Sequence, residues 1–216
     1  IEVISEKDKI PKHDFHNHFM SLPGIFYKKN KTFVNNRNFI QLSENKLNKW
    51  KNYFRSFKGP KVGINADSTK RIGATGQLQR MIPIEQFDVL TSFKNMNFFI
   101  IQKDFNKEKM KKINKNSNVN YFDNLDEGGK PFEDTIGIIK NLDLVITADT
   151  SIAHLSATLE KKTWIAIPFV SDWRWFLNDK KSIWYDNVSL YRQKEIANWE
   201  EVFKIIKKDL EKKFIN

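Results

Sequence analysis

The sequence predicts an α/β chain built on a doubly wound parallel sheet, and two observations carry that prediction. From Lys61 onward, short apolar runs alternate with segments of helical period, and most of those runs are apolar on both faces. Strands buried on both sides need helices on both sides, and right-handed crossovers then give a Rossmann-like domain over residues 58–216.

The elements follow in order. "KVGIN" (Lys61 to Asn65) is a first strand, placed just after the breaker pair Gly59-Pro60. "IPIEQFDVLTSF" puts Ile84, Phe87, Leu90 and Phe93 at helical spacing behind Pro83. "FFIIQ" (Phe98 to Gln102) is a continuous apolar strand, "DFNKEKMKKINK" a polar helix and "NVNYF" (Asn118 to Phe122) a short strand. "FEDTIGIIKNL" is helix, "DLVITA" (Asp143 to Ala148) strand, "SIAHLSATL" helix and "TWIAIP" (Thr163 to Pro168) strand. "VSLYR" (Val188 to Arg192) is a last strand and "WEEVFKIIKKDLEKKF" a final amphipathic helix.

Residues 1–57 read differently. "HDFHNHFMSLPGIF" is dense and turn-containing, and "KKNKTFVNNRN" is Asn-rich, so residues 1–42 are expected to be the tail of an N-terminal domain plus a linker. "SENKLNKWKNYFRSF" (43–57) reads as a linker helix capped by Ser43, with Leu47, Trp50 and Phe54 on one face. The chain begins at Ile1 rather than Met, which suggests a fragment and leaves an upstream targeting segment open.

Composition narrows the function classes. With 18 Phe and 6 Trp in 216 residues the chain is a folded protein able to bury a core. The absence of Cys excludes a disulfide framework and thiolate metal sites. No apolar run approaches the roughly 20 residues of a membrane span. A net charge of +11 favours an anionic partner: nucleic acid, a membrane surface or a phosphorylated small molecule. Much of the excess, however, lies in stretches such as "KKINK" and "KKDLEKK", which read as solvated helix faces, and AT-rich coding gives the same bias.

The chemistry concentrates at strand ends. "DLVITADTSIAHLSATLEKK" runs from a buried strand through Asp149, Thr150 and Ser151 into a helix carrying His154. In an open parallel sheet ligands bind beyond the carboxyl ends of the strands, where helix N-termini present backbone N–H groups. The hydroxyls and amides of Thr150 and Ser151 suit a phosphate, with His154 one turn in on the same face. The plainer alternative is that Asp149 or Thr150 only caps the helix and His154 is a core histidine. A long polar loop, "NADSTKRIGATGQLQR", brings Lys70, Arg71 and Arg80 to the same edge, and Gln102-Lys103 ends the second strand there. Together these point to a phosphorylated ligand. The glycine spacing fits neither a dinucleotide fingerprint nor a P-loop. "DWRWFLNDKKSIWY" interleaves Trp and Arg, which can stack bases or sugars, while Trp175 and Trp184 read more simply as apolar ballast. "HDFHNH" sets Asp14 among three histidines but has no Cys companion and no matching set of ligands nearby, so no metal is expected.

The block "EDTIGIIKNLDLVITADTSIAHLSATLEKKTWIAIPFVSDWRWF" resembles the C-terminal half of GT-B glycosyltransferases related to the heptosyltransferases. It is most similar to the version fused behind tetratricopeptide repeats in bacteria. That family shows an "LDLVI..DT..AHLAGALGKP.W.LLP...DWRW" run followed by "WY" and "RQ" pairs, and Trp184-Tyr185 and Arg192-Gln193 stand in those places. "DFHNHFMSLP" is similar to the family's "D.HCPLMSLP", near the end of its N-terminal domain.

The resemblance implies a nucleotide-diphospho-sugar donor held by Asp149, Thr150, Ser151 and His154, with Lys70, Arg80, Gln102 and Lys103 alongside. It implies an inverting transfer to a cell-surface glycan or lipid-linked acceptor, no cofactor and no metal. Phe132, Trp173 and Arg174 are candidates to touch the base or acceptor, and His16 is the one candidate base in view. A cytoplasmic enzyme, peripheral at an anionic inner membrane and acting in lipopolysaccharide biosynthesis, follows from the same resemblance. Two departures stand out: Glu160-Lys161-Lys162 replaces "GKP", and the loop from Ala66 to Gln79 lacks the family's Trp, Gly and His. They keep a second reading alive, a nucleotide-sugar-binding module without catalysis. A third reading, nucleic-acid binding, has only charge and Trp content behind it, and nucleic acid is not the expected partner.

Overall fold

A computed structural model describes residues 4–5, 7–30, 39–66, 81–103, 105, 107–111, 113, 118–128, 130–177 and 179–215. The chain divides into two compact units, Ile1–Asn35 and Asn36–Asn216. The first holds a 3-10 turn, Phe19–Ser21, and helix α1, Leu22–Asn30, and exposes Phe15 and Phe19 almost fully.

The second unit starts with helix α2 (Glu44–Phe54) and contains a six-stranded sheet. The strands are β1 (Lys61–Asn65), β2 (Asn97–Ile100), β3 (Val119–Tyr121), β4 (Leu144–Ala148), β5 (Thr163–Ile167) and β6 (Val188–Arg192). Their order is β3-β2-β1-β4-β5-β6, and every pairing is parallel. Between them lie α3 (Asp88–Thr91), α4 (Lys107–Met110), α5 (Glu133–Lys140) and α6 (Ser151–Thr158), and α7 (Trp199–Phe214) closes the chain. The doubly wound fold expected from the sequence is the one observed.

The apolar strand runs have a simple cause. Every residue of β4 and of β5 is buried, because alternate side chains enter separate cores on the two faces. On one face Ile146, Trp164 and Ala166 meet Leu90 of α3 and Val202, Phe203 and Ile206 of α7. On the other, Val145 and Phe99 meet Ile136 and Ile139 of α5, Ile152 of α6, and Trp50 and Phe54 of α2. The helix at 44–54, expected as a linker, is thus one wall of this core, held by its own apolar stripe. Further along, Ile165, Ile167, Val188 and Leu190 pack with Trp175 and with Ala153 and Ala157 of α6.

Three local expectations need correction. Ser43 occupies the N-cap position of α2, but its side chain makes no capping bond. The helix expected after Pro83 is 3-10 over Ile84–Phe87 and α-helical only from Asp88. Of the polar helix expected over 104–115, the described residues show one α-helical turn, Lys107–Met110.

Candidate functional site

The strand order reverses its direction of growth at β1, so the sheet's switch point lies between the carboxyl ends of β1 and β4. Three polar side chains meet there, Asn65 and Thr147 buried and Thr150 half-buried. Asn65 ends β1, Thr147 lies in β4, and Thr150 caps α6. Asn65 Oδ1 accepts from Thr147 Oγ1 and from Thr150 Oγ1, each at 3.2 Å. Asn65 Nδ2 reaches the Ile101 carbonyl at 3.4 Å, which ties the end of β2 into the same cluster. Thr150 Oγ1 also accepts from Ile152 N at 3.2 Å. The Thr150 hydroxyl therefore works inside the protein, as a cap and as a bolt to β1. Ser151, the first residue of the helix, is exposed.

The N-termini of α5 and α6, which follow β3 and β4, both open on this edge of the sheet and are capped differently. At α5, Asp126 Oδ1 accepts from Asp134 N at 2.7 Å and Thr135 N at 3.2 Å, so a carboxylate of the chain already fills the anion position. At α6 the equivalent end has a neutral hydroxyl cap, with Asp149, itself buried, just ahead of it.

His154 stands one turn into α6. Its Nδ1 and the Tyr185 hydroxyl are hydrogen-bonded at 3.1 Å, and its ring stacks on Trp175 with centroids 5.3 Å apart and planes 19° off parallel. Burial, then the nearby Arg174 charge, push its pKa below the usual imidazole value, while Asp149 and Asp172 pull the other way. The ring is therefore neutral near pH 7, keeping one nitrogen to accept and one to donate. Burial likewise raises the Tyr185 hydroxyl, so it stays protonated.

The loop between β5 and β6 supplies the outer wall. Asp172 caps its single 3-10 turn, Trp173–Trp175, through Arg174 N at 3.1 Å, and its other oxygen pairs with the Arg174 guanidinium at 3.2 Å. Trp184 Nε1 donates to the Arg174 carbonyl at 2.8 Å and Arg192 Nη2 to the Trp175 carbonyl at 2.8 Å. Trp173 is half-exposed, edge-on to Trp184 at 5.9 Å.

The expected site residues sort accordingly. Asp149, Thr150, Ser151, His154 and Arg174 fall on one stretch of the carboxyl edge. Gln102 and Lys103 follow β2; Gln102 is buried with Oε1 lacking a partner among the described residues, and Lys103 is exposed. Phe132 heads α5, half-exposed, at φ 67°. His16 belongs to the 1–35 unit and is exposed. Lys70, Arg71 and Arg80 lie outside the described residues. Sequence reasoning passed over Asn65 and gave Tyr185 no role. A lone amide ending an apolar strand signals the first, and a Tyr beside a Trp only hints at the second.

No protein family matches the chain, and no curated protein does. Solved structures do match in fold. One is the E. coli ADP-heptose LPS heptosyltransferase II, at 12% identity and a TM-score of 0.51, covering 81% of this chain and 54% of that one. Another is the E. coli heptosyltransferase WaaC with ADP-2-deoxy-2-fluoro heptose, at 10% identity and a TM-score of 0.50, covering 94% of this chain and 58% of that one. The chain thus spans a little over half the length of the solved structures it matches.

Proposed function

We propose that residues 36–216 form the donor-binding half of an inverting GT-B glycosyltransferase, one that transfers a sugar from a nucleotide diphosphate to a cell-surface glycan or lipid-linked acceptor. The observation that carries this reading is the α6 N-terminus at the switch point, held to β1 by the Asn65–Thr147–Thr150 cluster, with neutral His154 behind it. Free N–H groups and a helix dipole suit a diphosphate. In the transfer, an acceptor oxygen attacks the anomeric carbon while the bond from that carbon to the phosphate oxygen breaks, and the electron pair leaves with the diphosphate. Stabilising that departing charge is the largest usable catalytic contribution. Ser151 and the α6 amides would hold it, and Lys70, Arg80 and Lys103 would offset it in place of a metal. His154 would donate to the sugar or phosphate. Phe132, Trp173 and Arg174 would line the base or acceptor side, and His16 remains the candidate base.

The fold likeness and the sequence resemblance both support this reading. The resemblance alone supports the tetratricopeptide-repeat-associated variant, a role in lipopolysaccharide biosynthesis and a cytoplasmic enzyme touching anionic membrane. Among the described residues no helix is long and apolar enough to cross a membrane. The internal use of the Thr150 hydroxyl favours a second reading, a nucleotide-sugar-binding module without transfer.

Calorimetric titration with ADP, UDP and GDP tests the proposal. One diphosphate should bind in the micromolar range, and Ser151→Ala with His154→Gln should weaken it about tenfold or more. Thr150 is the wrong residue to remove, because losing a cap costs about 1 kcal/mol of stability by itself. A folded wild-type chain that binds none of the three would sink the donor-site reading. Binding without transfer by a longer chain would favour the module.

A further inference from the structure

Among the described residues, four side-chain donors around the β5–β6 connection are sealed from solvent without a hydrogen-bond partner: Arg174 Nε, Trp175 Nε1, Arg192 Nη1 and Gln193 Nε2. Trp175 is 1% exposed and Gln193 3%. Each such group forfeits its hydration with no protein bond in exchange. Native proteins leave few of them, so four around one loop need an explanation.

The four form one neighbourhood. Arg174 and Trp175 share the 3-10 turn, and Arg192 grips it through the Trp175 carbonyl. Gln193 follows Arg192 and accepts from Phe169 N at 3.0 Å, at the start of the same loop. Trp175 in turn stacks on His154, so the cluster adjoins the crevice at α6.

Their chemistry is one-sided. All four are N–H donors, and two belong to guanidinium groups. Asp172 offsets Arg174 and Asp179 lies near Arg192, yet neither carboxylate reaches the orphaned nitrogens. A second observation falls on the same loop. Phe176, directly after Trp175, holds φ 50° and ψ −169°, a region otherwise left to glycine. Unpartnered donors and a strained backbone thus fall together on one loop. Phe169, Val170 and Leu177, on the same loop, are all exposed.

We infer that the Arg174–Trp175–Arg192–Gln193 cluster is a subsite for an acidic group, a carboxylate or phosphate, on a substrate lying in the His154 crevice. The inference rests on that crevice being the substrate site, and it adds that the sugar or the acceptor is itself anionic. Paired donors of this kind favour an acid over a neutral hydroxyl, because hydrogen bonds between charged partners are about twice as strong.

The indole N–H of Trp175 is the direct reporter. In the full chain with its 6 Trp labelled with nitrogen-15, the Trp175→Phe variant assigns that resonance. Glucuronate 1-phosphate against glucose 1-phosphate probes an acidic donor sugar. Inorganic phosphate, added after saturation with a nucleoside diphosphate, probes an acidic acceptor. The expected result is a saturable downfield shift with one of the acidic probes, at least about tenfold weaker in Arg192→Gln. Arg192→Lys, which keeps the charge, should retain part of it and guards against a variant that misfolds. A Trp175 signal unmoved by either acid, or moved alike by glucuronate 1-phosphate and glucose 1-phosphate while inorganic phosphate leaves it unmoved, would overturn the inference. Failure of every nucleoside diphosphate to bind, with the sugar-phosphate arm still responding, would sink the donor-site reading and spare this one.

Discussion

At the scale of single residues, the environment of His154 makes its burial testable through stability. Burial and Arg174 lower its pKa in the folded chain, and the aromatic groups against it, Trp175 and Tyr185, both lie on the β5–β6 loop. The unfolded chain, with an imidazole near the ordinary value of about 6.5, therefore takes up the proton first as pH falls. The stability His154 brings is complete above that value and declines below it, until the folded form also protonates. His154→Gln should thus lose less stability than the wild type between about pH 7.5 and pH 5.5, in paired urea titrations. His13, His16 and His18 are common to both proteins and cancel. Identical pH slopes would show that His154 is not buried as described. A second residue shows why the departures from the family pattern matter. Glu160 stands where the resemblance expects Gly, and it takes φ 58°. Lys161 N bonds to the Ser156 carbonyl and Glu160 N to the Ala157 carbonyl, each at 3.0 Å, the left-handed helix ending that glycine serves best. The backbone demand persisted although the residue changed.

At the scale of elements, the docking of α2 on α5 is specified by one carboxylate and one missing methyl. Asp134 Oδ1 accepts from Lys46 Nζ at 2.8 Å, Trp50 Nε1 at 2.9 Å and Lys49 Nζ at 3.2 Å. Burial alone would raise its pKa, but these three donors together bring it below the usual carboxylate range. The pairing contributes stability that is complete above about pH 4 and is lost as pH falls through the folded value. Beside it, a Cβ on Gly137 would stand 2.2 Å from Trp50 Cδ1 and 2.9 Å from Cγ. Ala is the better helix former by about 1 kcal/mol, yet an indole buried in a core cannot yield as a flexible chain end does. Gly137→Ala should therefore destabilise, by roughly 1–3 kcal/mol in denaturant unfolding. A neutral or stabilising effect would show that α2 does not sit on α5 through this contact. The sequence made the apolar stripe of α2 legible through Leu47, Trp50 and Phe54. What it did not reveal was Asp134 as their polar anchor, because that contact spans 84 positions and has no local pattern.

At the scale of the whole molecule, the sheet was legible because burial on both faces writes itself into continuous apolar strands, and β4 and β5 are the clearest case. The site was legible only in part. Asp149 to His154 lie together in sequence because one strand-to-helix turn carries them, whereas Asn65, Tyr185 and Arg192 join them through the fold alone. Loops, whose conformation depends on what they meet, gave the weakest signal. The same reasoning bears on where the cooperative unit begins. Among the described residues, all three apolar clusters draw only on residues from Ile40 onward. Cutting at Asn36 rather than at the first strand keeps Trp50 and Phe54, without which Phe99, Phe122 and Ile139 would lose a buried wall. The chain 36–216 should accordingly unfold in urea in one transition, with a midpoint within about 0.3 M of the full chain's. A chain starting at residue 58 should lose several kcal/mol, the usual consequence of removing large buried aromatic side chains, each worth about 3–5 kcal/mol. If the shorter chain matched the longer one, α2 would be a linker after all; if neither folded, residues 1–35 would belong to the same cooperative unit.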